Sequence, residues 1–152
     1  MAERKVKVKV FRFNPLVDSE PRYVTYEVPY TEGMRVLDLL NYIHDNLDGS
    51  LAYRWECRAG QCGSCAVMVN KKAGLACQTL VEADAGEILI EPLYMFPVIK
   101  DLVVDLERGY KKLLKVRPYI HRDKPPQRPE KMYQYEIEDV KAMRECIECW
   151  SC

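Results

Sequence analysis

The chain has 152 residues, 48% of them apolar, and its 23 Lys and Arg balance 23 Asp and Glu. That length holds one domain or one and a half with a modest core, and a net charge of zero points to no nucleic-acid partner. The opening MAERKVKVKV lacks the apolar core of a signal peptide, and no apolar run is long enough to span a membrane. Seven cysteines without an export signal argue for a reducing compartment and for metal ligation rather than disulfides, and an odd count forbids complete internal pairing.

In residues 5–13, Val6, Val8 and Val10 alternate with Lys5, Lys7 and Lys9, which predicts a half-buried strand with a solvated lysine face. Phe11-Arg12-Phe13 shifts the alternation, and Asn14-Pro15 ends it. After a loop near Asp18, residues 22–29 (RYVTYEVP) are rich in β-branched and aromatic types and predict a second strand, paired with the first as a hairpin. Gly33 breaks the pattern. Val36, Leu40, Ile43 and Leu47 then recur at helical spacing, widened by Leu37 and Leu39, which predicts a helix over about 35–46 with its stripe in the core. His44, beside the stripe, reads as a packing or surface residue. Asp48-Gly49-Ser50 closes the helix.

The most informative stretch is 55–77, WECRAGQCGSCAVMVNKKAGLAC. Cys57, Cys62 and Cys65 are spaced C-x4-C-x2-C, and Cys77 follows one short hairpin later. That is the plant-type spacing for a [2Fe–2S] cluster. Three thiolates on one loop can wrap an inorganic core, and the fourth arrives from the far side on the return strand. Gly60 and Gly63 allow the backbone to pack against sulfide, so that nearby N–H groups point at sulfur. Arg58 is a candidate for raising the potential, because a nearby cation favours the reduced, more negative state. Its other reading is an outward surface or interface residue. Ser64 is a candidate O–H donor to sulfur, or a plain turn serine. A structural zinc site is the rival reading, but zinc usually draws on two separated C-x2-C knuckles.

Residues 66–69 predict a short strand, 70–74 its turn, 75–80 the return carrying Cys77, and 87–91 (EILIE) a further strand. Two strands, a helix, a cluster loop and further strands make a β-grasp order with the cysteines at one end of the sheet. Beyond Pro92, Val98, Leu102, Leu106, Tyr110 and Leu113 predict a helix over 98–112. Residues 117–128 are rich in proline and charge and read as a linker or extended arm. Residues 108–131 are strongly basic, which fits a solvated face or a contact with an acidic partner or anionic headgroups. A short helix is expected over 137–146.

The chain ends CIECWSC, placing Cys146, Cys149 and Cys152 as C-x2-C-x2-C, the opening of a bacterial-ferredoxin run. Three such thiolates can hold three irons of a [4Fe–4S] cubane. The fourth ligand must come from elsewhere, which is expected of a fragment, of a truncated cluster or of a ligand supplied by a partner. The alternative is a flexible tail of reactive thiols. Nothing in the chain reads as a nucleophile, a general-base pair or a nucleotide-binding loop, so catalysis is expected in a partner.

These motifs together resemble the iron–sulfur subunit of succinate dehydrogenase and fumarate reductase. The resemblance rests on RFNP at 12–15, VLDLL at 36–40, CRAGQCGSCAV at 57–67, LAC at 75–77, PLYMFPVIKDLVVD at 92–105 and CIECWSC at 146–152. The 92–105 segment is not explained by cluster chemistry, and it separates this family from simple plant-type ferredoxins. The resemblance implies an α+β fold: a β-grasp plant-type ferredoxin domain over 1–105, then a connecting helix, a proline-rich arm and the beginning of an all-α ferredoxin domain over 106–152. It implies a flavoprotein partner that oxidises succinate or reduces fumarate at covalently bound FAD, with electrons passing singly along a [2Fe–2S], a [4Fe–4S] and a [3Fe–4S] cluster. It also implies a membrane anchor with a quinone site, and a cytoplasmic location peripheral to the inner face of the membrane; some members use thiols or other donors. This chain stops before the fourth cubane ligand and every [3Fe–4S] ligand. Two other functions remain in play, a diffusible [2Fe–2S] electron carrier and a zinc-stabilised interaction module.

Overall fold

The computed structural model describes residues 4–122, 124 and 128–152. Strands β1 (Lys5–Arg12) and β2 (Arg22–Pro29) form the expected hairpin, antiparallel from Lys5 opposite Pro29 to Arg12 opposite Arg22. Val6, Val8 and Val10 face the core and are almost fully buried. The alternation does not shift at Phe11 as expected. It continues, and Arg12 takes the next inward place with 4% of its surface exposed. Period-two geometry, rather than hydropathy, sets which way this arginine points.

Helix α1 (Val36–Tyr42) runs on into a π-helical turn over Ile43–Leu47. Val36, Leu37, Leu39, Leu40 and Ile43 are buried, as the stripe predicts. Leu47 is not: it is about half exposed. The Asp48 N–H reaches back five residues to the Ile43 carbonyl at 2.7 Å, and this wider turn carries Leu47 off the stripe.

Strands β3 (Ala66–Val69) and β4 (Lys72–Leu75) are joined by Asn70-Lys71 alone, not by the five-residue turn expected over 70–74. Both turn residues have positive φ, 48° and 67°, the backbone of a tight hairpin turn. β4 therefore ends earlier than expected, and Cys77 lies in the turn after it rather than within the strand. β5 (Glu87–Glu91) pairs parallel with β1 and antiparallel with β3. The sheet order β2-β1-β5-β3-β4, with α1 between β2 and β3 in the chain, is the mixed arrangement expected of a β-grasp domain.

The helix expected over 98–112 begins much later. Its first part is a small hairpin, β6 (Val98–Lys100) and β7 (Val103–Val104). Val98, Ile99, Val103 and Val104 are β-branched and suit extended backbone, and Asp101 makes the turn with φ 48°. Only after this does α2 (Glu107–Val116) start.

The chain divides into two units. The first takes in residues up to Asp105 together with Glu148–Cys152, and the second is Leu106–Ile147. In the second, α2 leaves Tyr110 and Leu114 exposed, and α3 (Gln134–Arg144) stands where 137–146 was expected to be helical. Arg122 clasps the start of α3: its guanidinium donates twice to Glu136, at 2.7 Å each, and also to Glu130 at 2.7 Å and to the Lys131 carbonyl at 2.8 Å. Glu136 in turn accepts from the Tyr133 N–H at 2.9 Å, closing the helix N-terminus. The expected arm, 117–128, falls partly outside the described residues.

Candidate metal centre

The cysteine loop is held at its root by a buried charge cluster. Arg12 donates to Asp101 Oδ1 (3.0 Å), to the Tyr26 hydroxyl (2.7 Å), to Ser50 (2.8 Å) and to Asp48. Asp101, 1% exposed, also accepts from the Phe13 N–H (3.0 Å) and the Ala52 N–H (2.9 Å). The Leu102 N–H donates to the Ala52 carbonyl at 3.1 Å. The β6–β7 hairpin is thus locked to the end of β1 and, at Ala52, to the segment that leads into the cysteines. Burial opposes the Arg12 charge, but hydrogen bonds to Asp101, Asp48 and Tyr26 outweigh it and raise its pKa. The Ser50 hydroxyl, with Tyr26 and Arg12 adding, holds the Asp48 carboxyl well below the usual range against its burial.

Sequence reasoning did not single out Arg12, Asp48 or Asp101. Parity was the available signal for Arg12: counting by twos from Val6 lands on it. Asp101 was visible only as the one acid within an apolar run, VIKDLVV.

The loop itself is built around sulfur. The N–H groups of Ala59, Gln61 and Cys62 each donate to Cys57 Sγ at 3.4 Å. Gly60 (φ 72°) and Gly63 (φ 68°) occupy the left-handed region that lets the chain curl this tightly, and Arg58 shares it at φ 54°. Cys77 arrives on a turn tied to both neighbours. The Ala76 N–H donates to the Cys65 carbonyl (3.0 Å), while the Leu37 and Val36 N–H groups donate to the carbonyls of Ala76 (3.0 Å) and Thr79 (2.9 Å). The first amides of α1, which have no partner within the helix, therefore hold the fourth cysteine in place. The Cys77 N–H donates to Cys65 Sγ at 3.5 Å.

The four cysteines expected as ligands come together in two linked pairs, Cys57 with Cys62 and Cys65 with Cys77, and Cys62 stands near enough to Cys65 to act on it electrostatically. Cys57 is exposed, Cys62 half-buried, Cys65 and Cys77 buried. The donors from Ala59 and Gln61, then Cys62, bring the Cys57 thiol down to about 7. Burial pushes the Cys65 thiol up to about 11. The N–H donors thus favour the charged form at the exposed end of the site, and burial opposes it at the inner end. Among the described residues, no three His, Cys, Asp or Glu side chains converge on a point as a single ion requires. The N–H groups aimed at sulfur suit anionic thiolate ligands.

Arg58 lays its guanidinium over the Trp55 ring, 4.4 Å from the centroid. Ser64 is half-buried in the turn between Gly63 and Cys65. His44 is exposed, with its ring edge against Tyr53. At the C-terminus, Cys146 and Cys152 are exposed and Cys149 half-buried. Glu148 and Trp150 have φ 54° and 59°, and the Trp150 ring packs edge-on against Phe96, 6.2 Å between centroids.

The fold and the four-cysteine loop define a ferredoxin-like iron–sulfur protein. Residues 7–111 match the model of the 2Fe-2S iron-sulfur cluster binding domain, and the chain belongs to that family. Its relatives include the fumarate reductase iron-sulfur subunit of Haemophilus influenzae, 41% identical over 97% of this chain and 62% of that one. The corresponding fumarate reductase iron-sulfur subunit of Mycobacterium tuberculosis is also 41% identical, over 97% of this chain and 62% of its own length. Among solved structures, a chain of the apo Mycobacterium smegmatis Sdh1 complex superposes with a TM-score of 0.82 and 32% identity, covering 99% of this chain and 63% of that one. The resemblance read from the motifs therefore extends along nearly the whole chain, which spans about three-fifths of the H. influenzae protein.

Proposed function

We propose that this chain is the electron-transfer part of a succinate dehydrogenase or fumarate reductase-type complex, passing single electrons between an FAD-bearing flavoprotein partner and a quinone or other carrier. The observation that carries the reading is the joining of the four-thiol loop to the 92–105 segment through Asp101. A free-standing carrier has no need of that segment, and the fumarate reductase relatives match this chain through it. In this reading Cys57, Cys62, Cys65 and Cys77 ligate a [2Fe–2S] cluster, which when bound takes up and releases one electron at a time. The protein's part is to hold the thiolates, to supply N–H groups to their sulfurs and to shield Cys65 and Cys77 from water. Cys57 is the member of the set that lies at the exposed edge.

Residues 106–152 are, in the same reading, a connecting helix, an arm and the opening of an all-α ferredoxin domain. Cys146, Cys149 and Cys152 would contribute three ligands to a [4Fe–4S] cluster whose fourth lies outside this chain. Arg58, stacked on Trp55, adds positive charge beside the loop that favours the reduced cluster. No helix among the described residues is long and apolar enough to cross a membrane. Association with the inner face would come through an anchor subunit.

The test is direct. Cys57→Ser and Cys65→Ser should abolish or alter the EPR signal of the reduced protein and its visible spectrum. A stoichiometric spectrum surviving both changes overturns the ligand set. Co-expression with the flavoprotein of the same genome should yield a complex that is reduced by succinate or oxidised by fumarate. A cluster-loaded protein that binds no flavoprotein would instead be a diffusible carrier.

A further inference from the structure

Gln78 follows the fourth cysteine and carries no signal in the sequence. Its backbone is fixed on both sides: the N–H donates to the Leu75 carbonyl at 2.9 Å, and its carbonyl accepts from Arg35 Nη1 at 2.7 Å. From that anchor the side chain crosses to the cysteine loop and lies flat on Gly60. A Cβ on Gly60 would come to 2.9 Å from Gln78 Cγ and 3.1 Å from Cδ. The Nε2 then donates to the Arg58 carbonyl at 3.4 Å and to Cys77 Sγ at 3.6 Å. The larger radius of sulfur makes the second distance an ordinary N–H···S contact.

We infer that Gln78 is a positioning residue of the cluster, clamping the 57–62 turn against Cys77 and setting the reduction potential through its N–H to the Cys77 sulfur. The inference rests on Cys57, Cys62, Cys65 and Cys77 being the [2Fe–2S] ligands. A donor to a ligand sulfur binds more strongly as that sulfur becomes electron-rich, so it stabilises the reduced state and raises the potential. The other nitrogen donors at the site, from Ala59, Gln61, Cys62 and Cys77, are backbone groups that come with the fold. Gln78 is a side chain, so one substitution can change it. Its bond to the Arg58 carbonyl also helps hold the left-handed conformation of Arg58, which has no glycine to relieve it.

The experiment uses the full chain purified with its cluster, in wild-type, Gln78→Leu and Gln78→Glu forms. EPR-monitored redox titration gives the midpoint potential, and visible bleaching by a chelator gives the rate of cluster loss. Gln78→Leu should titrate at a more negative potential than wild type, and Gln78→Glu, which adds negative charge, at a more negative one still. Cluster loss should quicken about threefold in Gln78→Leu, the ratio that one weak hydrogen bond sustains. Gln78→Met, which keeps an unbranched chain over Gly60 but has no N–H to give, should titrate as low as Gln78→Leu. A Gln78→Met or Gln78→Leu midpoint equal to that of wild type overturns the role of Gln78 while leaving the ligand set intact. A wild-type chain with no [2Fe–2S] signal overturns the ligand set, and the role of Gln78 with it.

Discussion

The Nε of Arg12 lies 3.0 Å from Oδ1 of Asp101, joining residues 89 positions apart with almost no water at either end. The same carboxylate receives the N–H groups of Phe13 and Ala52. One side chain therefore closes β1, seats the β6–β7 hairpin and fixes the chain five residues before Cys57.

Removing that acceptor leaves a buried guanidinium and two buried N–H groups short of a partner. Asp101→Ala should cost about 3–5 kcal/mol, the range for breaking one side of a buried ion pair. Asp101→Asn, which keeps an oxygen acceptor, should cost less. Urea denaturation of the full chain checks this, and amide exchange near Ala52 should quicken in the alanine variant. A loss below about 1 kcal/mol in Asp101→Ala would mean that water replaces the carboxylate easily.

Asp48 predicts a pH dependence. Its folded pKa is depressed, chiefly by the Ser50 hydroxyl, with Tyr26 and Arg12 adding. A depressed carboxylate contributes stability at pH values above its unfolded value, about 4, and loses that contribution as pH falls through the folded one. The stability gap between wild type and Asp48→Asn should be flat from about pH 7 to 5 and should narrow below about 4. A gap constant down to the acid limit would show that the charge of Asp48 contributes nothing.

The Asn70-Lys71 turn sets backbone strain against a surface ion pair. Lys71 sits at φ 67° and reaches Glu91 at 2.8 Å. Lys71→Ala and Lys71→Gly both lose the pair, worth about 0–1 kcal/mol at such an exposed lysine. Glycine alone relieves the left-handed backbone, worth about 1 kcal/mol. Thermal unfolding should therefore place Lys71→Gly above Lys71→Ala. The reverse order would mean that the unfolded-state entropy of glycine outweighs the strain.

The Arg122 clasp predicts a local effect. Glu136 is held down to about 2, first by the Arg122 hydrogen bonds and then by the Tyr133 N–H. Its contribution is present above the ordinary glutamate value and lost as pH falls toward 2. Glu136→Gln keeps the size and loses the charge. Amide exchange at neutral pH should quicken in that variant over the first turn of α3, with the first unit unaffected. Equal exchange in variant and wild type would show that the clasp does not hold the start of α3.

Much of the fold was legible because it follows local periodicities. Val6, Val8 and Val10 alternate, the stripe from Val36 to Ile43 repeats at helical spacing, and both end in the core. The grouping of Cys57, Cys62, Cys65 and Cys77 was legible because three of them share one short loop and the fourth follows one hairpin later. The 98–112 helix was misread because Val98, Leu102 and Leu106 share a helical spacing that a hairpin with a tight Asp101 turn also satisfies. Leu47 was misplaced because a single π-helical turn leaves no mark in composition.

By itself, then, the sequence determined the four-thiol loop, the strand and helix faces and the family, all of which depend on contacts between near neighbours or on motif spacing. The tertiary structure alone decided that Arg12 turns inward, that Asp101 receives it, and that Gln78 reaches across Gly60 to the Cys77 sulfur. Those arrangements depend on partners far apart along the chain. A charged side chain is buried only where a distant fold element supplies its counter-charge, and no local pattern records which element that will be.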